Sequence, residues 1–299
     1  MKPKLIVIVG PTASGKTALG IRLARRLNGE IISADSRQVY KGLNLSSGKV
    51  ARRETQGIRH YCLDLVSPKT RFSADDYRRC FLKALHDIQK RGKIPIVVGG
   101  TGFYIDVALG RMNTGGVPPN PPLRKKLSKK SAAELFKILK KLDPKRANAI
   151  DRHNSVRLIR AIEIARAHQG SASGVNCVNN SIGSTYGVDN FDVVWIGIAH
   201  GGKALRKKIH TRLMARMKAG MVEEIKKLHR SGIRWKRLDE LGLEPRWIAR
   251  YLRNKITREQ MLYHLENAIW RYSKRQITWF KKNKKVRWIA NLNDIYLSL

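Results

Sequence analysis

Short apolar runs alternate with amphipathic segments along the first 110 residues of the chain. Four runs have the length and composition of buried strands: LIVIV at 5–9, EIISAD at 30–35, YCLDLV at 61–66 and KIPIVVG at 93–99. ALGIRLARRL follows the first run and SADDYRRCFLKALHDIQKRG precedes the fourth, and both have the spacing of helices with one apolar face. Because strands that alternate with helices usually pair in parallel, this pattern predicts an α/β fold with a parallel sheet flanked by helices.

The alternation stops after residue 110. TGGVPPNPPLRKKL, at 114–127, contains four of the ten prolines and therefore predicts a boundary. Helical spacing then dominates as far as residue 170, residues 171–187 are small and polar and predict an exposed loop, and FDVVWIGIA at 191–199 returns to the strand pattern. We therefore predict one core formed by residues 1–110 and 191–299, with a small, mainly helical insertion domain at 111–190.

Two apolar stripes with helical spacing occur in the second half of the chain. The first comprises Val156, Ile159, Ile162 and Ala165, with Arg157 and Arg160 on the opposite face. Spacing alone favours a solvent face there, with an Arg160–Glu163 pair, over a ligand contact. The second stripe comprises Ile209, Leu213, Met217 and Met221, and it predicts the core-facing side of a C-terminal helix.

The string GPTASGKT follows the first predicted strand and precedes the first predicted helix. In that setting the pattern G-x-x-x-x-G-K-[ST] directs backbone N–H groups and the helix N-terminus into one concavity that binds a di- or triphosphate. The predicted phosphate site comprises Gly10, Pro11, Thr12, Ala13, Ser14, Gly15, Lys16 and Thr17. Lys16 would reach phosphate oxygens, and the Thr17 hydroxyl would hold Mg²⁺, the expected cofactor. The fold class is accordingly P-loop NTPase-like, although the loop identifies a ligand and not a reaction.

Two further polar residues follow predicted strands. Asp35 ends the second strand, and Thr101 follows the fourth in GGTGFYI, where an ATPase often has a metal-binding acid. Both are candidates for the ligand crevice, since the carboxyl ends of parallel strands meet at one edge of the sheet. Each could instead cap a following helix, and position alone leaves the two interpretations about equal.

The composition points to a polyanionic partner. The chain has 61 Lys and Arg against 22 Asp and Glu, a net charge of +39 on 299 residues, and the basic residues occur in every part of it. A layer of solvated lysines is the alternative. Residues 270–288 interleave Trp270, Tyr272, Trp279, Phe280 and Trp288 with Lys and Arg, which suits stacking on unpaired bases or, equally, docking of a terminal helix on the core.

Several protein classes are disfavoured by the sequence. No apolar run approaches the roughly 20 residues that a membrane-spanning helix needs. Cys62, Cys80 and Cys177 form no C-x-x-C pair, which argues against a zinc cluster or a disulfide framework and favours a reducing, cytoplasmic setting.

Further strings occur in a defined order over nearly the whole chain. Besides GPTASGKT they are DSRQVY at 35–40, HYCLDLVSP at 60–68, GGTGFYI at 99–105, HNSVRLIRAIEI at 153–164, RLMARMKAGMVEE at 212–224 and YSKRQITWF at 272–280. Together they closely resemble the bacterial tRNA dimethylallyltransferases, and DSRQVY and KRQITWF are the most specific among them. The small helical insertion of that family agrees with the predicted domain at 111–190.

The resemblance implies transfer of a dimethylallyl group from dimethylallyl diphosphate to N6 of adenosine 37 in the tRNA anticodon loop, with release of diphosphate. It implies that Asp35 is the general base, that Thr101 lies near the breaking C–O bond, and that Arg212 stabilises the diphosphate together with the phosphate loop. A monomer is expected. The implied tRNA contacts are Asp35, Ser36, Arg37, Gln38, Thr101, Arg124, Arg157, Arg160, Lys274, Arg275 and Gln276.

Three other functions fit the sequence less well. A nucleotide kinase would use the same loop, but Asp35 and the Gly-Gly-Thr strand end suit prenyl transfer better. An adenylate isopentenyltransferase would act on a free nucleotide, which the charge of +39 and the helical insertion disfavour. An RNA-binding protein without activity is disfavoured by the intact Gly15, Lys16, Thr17 and Asp35.

Overall fold

The structure is a computed structural model that describes residues 2–170 and 188–290. By internal contacts the chain divides into two units, Met1–Met112 with Tyr186–Leu299 as the first and Asn113–Thr185 as the second. The boundaries predicted from sequence were 110/111 and 190/191. The exposed loop predicted at 171–187 lies outside the described residues.

The first unit contains a parallel sheet of six strands. Their order across the sheet is β3-β2-β4-β1-β5-β6, and every paired neighbour runs parallel, which confirms the predicted α/β class. The strands are β1 (Lys4–Val9), β2 (Gly29–Ala34), β3 (His60–Tyr61), β4 (Ile94–Gly99), β5 (Asp192–Ile198) and β6 (Arg287–Ile289). In the centre of the sheet, Ile6 lies opposite Ile96 of β4 and Val194 of β5.

Helices flank the sheet within the first unit, and further helices form part of the second unit. In chain order they are α1 (Lys16–Arg26), α2 (Ala74–Lys90), α3 (Gly102–Ala108), α4 (Pro121–Leu127), α5 (Ala132–Leu142), α6 (Pro144–Ala149), α7 (Ser155–Gly170), α8 (Gly202–Lys218), α9 (Met221–Arg230), α10 (Trp235–Leu241), α11 (Leu243–Leu252) and α12 (Arg258–Lys281). Within residues 2–170 and 188–290, no helix is long and apolar enough to cross a membrane.

Strand β1 is apolar from Leu5 to Val9 because both faces of the sheet are covered. Successive side chains point to opposite faces, so Leu5, Val7 and Val9 join the core cluster that contains Tyr77 and Phe81 of α2. Ile6 and Ile8 join the other cluster, with Leu19 and Leu23 of α1. Side chains of β1 therefore pack into one apolar core on each face of the sheet.

Two strand predictions need correction. Of the predicted strand 61–66 only Tyr61 lies in a strand, the two-residue β3, because Cys62 (φ 60°) and Asp64 (φ 51°) adopt left-handed backbone conformations that interrupt it. Only the Tyr40–Val66 bridge continues the pairing. Strand β6 was missed, since its three residues lie within a charged segment that has no apolar alternation.

The second unit is helical and has its own core. Leu127 of α4, Leu135 and Leu139 of α5, and Leu158 and Ile162 of α7 are at most 2% exposed. The stripe predicted for α7 is wrong at its first position, since Val156 is 78% exposed. The apolar face instead begins at Leu158 and continues through Ala161, Ile162 and Ala165.

The second predicted stripe crosses from one helix to the next. Ile209 and Leu213 lie on α8 and are buried, and Met221 is a buried residue at the start of α9. Between the two helices, Gly220 has a φ of 97°, a conformation that favours glycine. The stripe therefore marks core residues, as predicted, but not one continuous helix.

Candidate functional site

The predicted phosphate loop connects β1 to α1 and has three residues in the positive-φ region. They are Gly10 (φ 146°), Ala13 (φ 61°) and Gly15 (φ 93°). A Cβ at Gly10 would lie 2.8 Å from the Ile198 carbonyl oxygen, so this position excludes other residues on steric grounds as well. The loop delivers the chain to the N-terminus of α1 at Lys16, where the helix dipole favours an anion.

Lys16 lies under the loop and lines a pocket that also receives Thr12, Thr17, Asp35 and Arg212. Its Nζ donates a hydrogen bond to the Pro11 carbonyl at 2.6 Å. Burial, and then the positive charge of Arg212, lower the pKa of Lys16 to about 7, although Asp35 opposes the shift. A negatively charged ligand in this pocket would restore the protonated ammonium.

Asp35 lies at the carboxyl end of β2, in the same pocket as Lys16. Its Oδ1 accepts a hydrogen bond from the Arg37 N–H at 2.8 Å, which is an Asx turn. Residues 36–39 form a turn without a helix, so the helix-cap alternative for Asp35 is wrong. The turn instead fixes the orientation of the carboxylate in the crevice.

Thr101 occupies the N-cap position of α3, but its side chain does not cap that helix. Its Oγ1 accepts a hydrogen bond from the Ser36 N–H at 3.1 Å, which ties the turn after β4 to the turn after β2. The Tyr272 side chain also hydrogen-bonds Thr101, and burial, followed by the nearby Asp35, raises the pKa of Tyr272 to about 12. Tyr272 is therefore a neutral phenol at the site.

Arg212, from α8, contributes a guanidinium group to the pocket. Its Nη2 donates to the Gly48 carbonyl at 3.1 Å. Desolvation within the pocket, followed by the positive charge of the neighbouring Arg216, lowers the pKa of Arg212, although part of the residue is exposed. Lys16 and Arg212 thus place two cations around one cavity.

Gln276, from α12, is 5% exposed and holds two parts of the site together. Its Oε1 accepts from the Thr12 N–H at 2.8 Å, and its Nε2 donates to the Gly100 carbonyl at 3.0 Å. The sequence interpretation made Gln276 an RNA contact, whereas here both ends of its amide bond the protein itself. Lys274 and Arg275, the other predicted contacts on α12, are exposed.

The aromatic residues of α12 mainly dock the helix. Phe280 is 2% exposed in the core beneath the sheet. Trp279 donates from Nε1 to Asp106 Oδ2 at 2.8 Å, and a Cβ at Gly102 would lie 2.3 Å from its ring. Docking on the core, one of the two alternatives for this segment, is therefore correct for Trp279 and Phe280.

Two of the predicted RNA-binding arginines are engaged within the second unit. Arg124 donates from Nε and Nη2 to the two carboxylate oxygens of Glu163, at 2.9 and 2.7 Å. Arg160 donates from Nη1 to Glu163 Oε2 at 2.5 Å, which is the i,i+3 pair that the spacing favoured. Arg124 and Arg160 are thus held by an intramolecular ion pair, whereas Arg157 is exposed, and the RNA contacts of all three stay predictions.

Several residues that line the pocket carry little or no signal in the sequence. Ser33 donates from Oγ to Gln38 Oε1 at 2.9 Å, so Gln38, another predicted RNA contact, is also held within the protein. Ser47, Gly48 and His60 line the same cavity. Ser47 and Gly48 lie in a turn and His60 in the two-residue strand β3, where no periodicity marks them. Tyr272, four residues before Gln276 on one helical face, had a signal that spacing could have found.

The oxygen donors at the site suit Mg²⁺ only if a ligand supplies more of them. The Thr17 hydroxyl and the Asp35 carboxylate line one pocket. Among residues 2–170 and 188–290, no cluster of three or more His, Cys, Asp or Glu side chains could hold a metal ion. Mg²⁺ commonly binds through one or two protein oxygens plus phosphate oxygens and water, so this donor set fits the ion together with a diphosphate.

Comparison with known proteins agrees with this geometry. A family model described as IPP transferase matches residues 38–283. The chain belongs to the IPP transferase family. Its relatives include tRNA dimethylallyltransferase 1 of Geotalea uraniireducens, 40% identical over 98% of this chain and 95% of the relative. Another is tRNA dimethylallyltransferase 2 of Citrifermentans bemidjiense, 40% identical over 98% of this chain and 92% of the relative.

Solved structures of the IPP transferase family share the fold. The tRNA isopentenylpyrophosphate transferase of Bacillus halodurans superposes with a TM-score of 0.70 at 32% identity, over 97% of this chain and 90% of that one. The corresponding enzyme of Staphylococcus epidermidis has a TM-score of 0.68 at 32% identity, over 98% and 96% of the two chains. The family resemblance and the P-loop-like fold predicted from the sequence are confirmed.

Proposed function

We propose that this protein transfers a dimethylallyl group from dimethylallyl diphosphate to N6 of adenosine 37 in tRNA, releasing diphosphate. The observation that carries the proposal is that one pocket joins the Asp35 carboxylate to the phosphate loop, Lys16 and Arg212. A carboxylate and a phosphate-binding loop on one cavity suit a reaction in which the acceptor loses a proton and the donor loses diphosphate. The curated relatives are named for this transfer.

The diphosphate end of the donor would lie on the loop and the N-terminus of α1. Charge grows on the leaving diphosphate as the C–O bond breaks, and fixed positive groups stabilise that charge. Lys16 and Arg212 both line the pocket and would supply these groups. Mg²⁺ held by Thr17 would neutralise further charge on the phosphate oxygens.

The acceptor end of the pocket would be formed by Asp35 and Thr101. The adenine amino group is a weak nucleophile, so a base must take its proton while N6 forms the new bond to C1 of the prenyl group. The Asx turn on Arg37 holds the Asp35 carboxylate for this task. The proton passes from N6 to Asp35, and the bonding electrons of the C–O bond leave with the diphosphate.

The target adenine must leave its stack to reach a pocket at the edge of the sheet. An unpaired anticodon loop makes this extrusion less costly than a duplex would. The exposed Arg157, Lys274 and Arg275 are proposed to hold the phosphate backbone outside the pocket. A monomeric state and a cytoplasmic location stay predictions from the sequence.

The decisive experiment compares Asp35→Asn with Asp192→Asn in a prenylation assay on an anticodon stem-loop, with the RNA weighed by mass spectrometry. Asparagine keeps the oxygen that accepts from Arg37 but cannot take a proton. Asp192 is exposed at the opposite, amino-terminal end of β5, so it controls for loss of one negative charge. We expect turnover to fall by about a thousandfold in Asp35→Asn, with RNA affinity within about twofold of the parent protein.

Two outcomes would contradict this assignment. Equal losses of turnover and RNA affinity in Asp35→Asn would make Asp35 a structural residue. The same assay with AMP as the acceptor tests for an adenylate isopentenyltransferase. An assay with ATP as the phosphoryl donor tests for a nucleotide kinase. A prenylated AMP or a phosphorylated nucleotide, without a mass gain on any adenosine-containing stem-loop, would overturn the proposed function.

A further inference from the structure

The carboxylate of Glu224 binds a loop that the mechanism above does not mention. Glu224 lies in the first turn of α9, and its Oε2 accepts from the N–H groups of Asn44 and Leu45 at 2.9 and 2.7 Å. Its Oε1 accepts from the N–H and the hydroxyl of Ser46, at 2.9 and 2.6 Å. Four donors from three consecutive residues therefore converge on one carboxylate and fix the backbone of residues 44–46.

This loop leads directly into the pocket. Two residues further on, the Gly48 carbonyl accepts from Arg212 Nη2 at 3.1 Å and from Gln38 Nε2 at 3.3 Å. Ser47 and Gly48 both line the cavity. The Gly48 carbonyl thus orients two groups, the Arg212 guanidinium that would meet the diphosphate and the Gln38 amide.

The packing at Gly48 leaves little freedom for the loop to shift. Gly48 has a φ of 61°, and a Cβ there would lie 2.4 Å from Arg212 Nη2 and 3.0 Å from Arg216 Nη1. Both guanidinium groups therefore pack directly on its backbone. Displacement of the loop by a few tenths of an ångström would move the acceptor to which Arg212 is bonded.

We infer that Glu224 is a positioning residue of the transfer reaction, which acts by holding residues 44–48 so that the Gly48 carbonyl directs Arg212 toward the diphosphate. The inference rests on the proposed function for its kinetic consequence. Its structural core is independent of that function, because it concerns how Arg212 is held. Glu224 itself touches neither reactant.

The test uses Glu224→Gln, with Glu223→Gln as the matched control. Glutamine places an NH₂ group against backbone N–H donors on one side, whereas Glu223 is the exposed neighbour whose oxygen lies 3.8 Å from Lys226 Nζ. We expect kcat/KM for dimethylallyl diphosphate to fall about tenfold or more in Glu224→Gln, with RNA affinity within about twofold of the parent. The Glu223→Gln protein should match the parent.

A double-mutant cycle with Arg212→Lys separates positioning from general destabilisation. If Glu224 acts through Arg212, its substitution will have little further effect once Arg212 has been replaced, so the two losses will not add. Ser46→Ala removes one of the four donors and should reduce kcat/KM in the same direction by a smaller factor. This milder variant keeps the test valid should Glu224→Gln unfold.

Additive losses in the cycle, or a Glu224→Gln protein that matches Glu223→Gln, would overturn the inference. Binding of inorganic diphosphate, measured by calorimetry, provides a second measurement that needs no turnover. We expect the diphosphate dissociation constant to rise about tenfold in Glu224→Gln and to stay unchanged in Glu223→Gln. If the parent protein binds diphosphate and shows this pattern but transfers no prenyl group, the proposed function fails, while the role of Glu224 in orienting Arg212 toward a diphosphate stands.

Discussion

The Oε1 atom of Gln276 accepts a hydrogen bond from the Thr12 N–H at 2.8 Å, across 264 residues of sequence. The Nε2 of the same amide donates to the Gly100 carbonyl, and a Cβ at Gly100 would lie 2.1 Å from that nitrogen. Helix α12 therefore sets the distance between the phosphate loop and the turn that carries Thr101. The amide is suited to this position because one end accepts and the other donates.

Gln276→Glu should damage catalysis more than RNA binding. A carboxylate still accepts from Thr12, but its second oxygen would face the Gly100 carbonyl and repel it. We expect kcat/KM for prenyl transfer to fall at least about tenfold, with RNA affinity within about twofold, as measured by steady-state kinetics and filter binding. Arg275→Gln is the comparison, since its exposed side chain should affect mainly RNA affinity. Equal RNA losses in the two variants would instead support the direct RNA contact predicted for Gln276.

Local patterns predicted the parts of the fold and site that depend on neighbouring residues. Gly10, Gly15 and Lys16 could be assigned because the strand, turn and helix are contiguous, and the apolar strands because both faces of the sheet are buried. Asp35 and Thr101 could be placed at one edge because parallel strands end together. The family resemblance then gave these residues their expected roles.

Contacts between distant segments were invisible to the same reasoning. Spacing cannot show that Glu224 accepts from Asn44, 180 residues away, or that Arg124 meets Glu163, 39 residues away. A charged side chain looks equally available for RNA whether or not a buried partner holds it. The failure at Cys62 has a different cause, because its left-handed backbone interrupts a run whose composition is typical of a strand.

Lys16 should make diphosphate binding sensitive to pH near neutrality. Its pKa is lowered to about 7, so the free protein loses the ammonium charge as pH rises through that value. Affinity for dimethylallyl diphosphate should therefore weaken between about pH 7 and 9, and calorimetry in buffers of different ionisation enthalpy should detect proton uptake on binding.

The effect of Lys16 on the stability of the fold has the opposite sign. Because the unfolded chain binds the proton more tightly, the Lys16 contribution to unfolding free energy rises with pH above 7.

Lys16→Arg provides the control for this pH dependence. Its guanidinium stays protonated throughout the range, so the slope of affinity against pH should flatten even if overall affinity falls. An unchanged slope in Lys16→Arg would assign the titration to another group of the pocket.

Glu163→Gln should destabilise the second unit. Burial would raise the pKa of Glu163, but hydrogen bonds from Arg124, the Asn120 N–H and Arg160 outweigh it and lower the pKa to about 2. Neutralising this acid leaves two arginines without their counterion, and we expect a loss on the order of 3 kcal/mol. In the parent, stability from this group is present above the unfolded pKa of about 4.5 and is lost as pH falls toward 2.

The measurement for Glu163→Gln must report on the second unit itself. All six tryptophans lie outside residues 113–185, so tryptophan fluorescence follows only the first unit. Amide hydrogen exchange along α7 is the suitable probe, and protection there should fall in Glu163→Gln. Arg157→Gln, an exposed change on the same helix, should leave protection intact, and equal protection in the two variants would contradict the role of the ion pair.

Cys62 and Cys80 should form a disulfide when the protein meets an oxidant. Their Sγ atoms lie 2.6 Å apart, and the hydrogen bond with Cys62 lowers the pKa of the Cys80 thiol. With oxidised glutathione, the Cys80 thiolate would form a mixed disulfide that Cys62 then resolves, releasing two molecules of reduced glutathione in total. The protein should lose about 2 Da and gain about 3 kcal/mol in unfolding free energy from the closed loop.

A Cys177→Ser background isolates this reaction, because only Cys62 and Cys80 then remain. Intact mass and thiol titration should show both thiols consumed without a glutathione adduct. Adding Cys80→Ser removes the more reactive thiol, and that protein should show no 2 Da loss. Because Cys62 lies two residues after His60 of the pocket, the oxidised protein should also bind diphosphate with an altered affinity. Retention of both thiols, or a persistent glutathione adduct on Cys80, would show that the pair does not close.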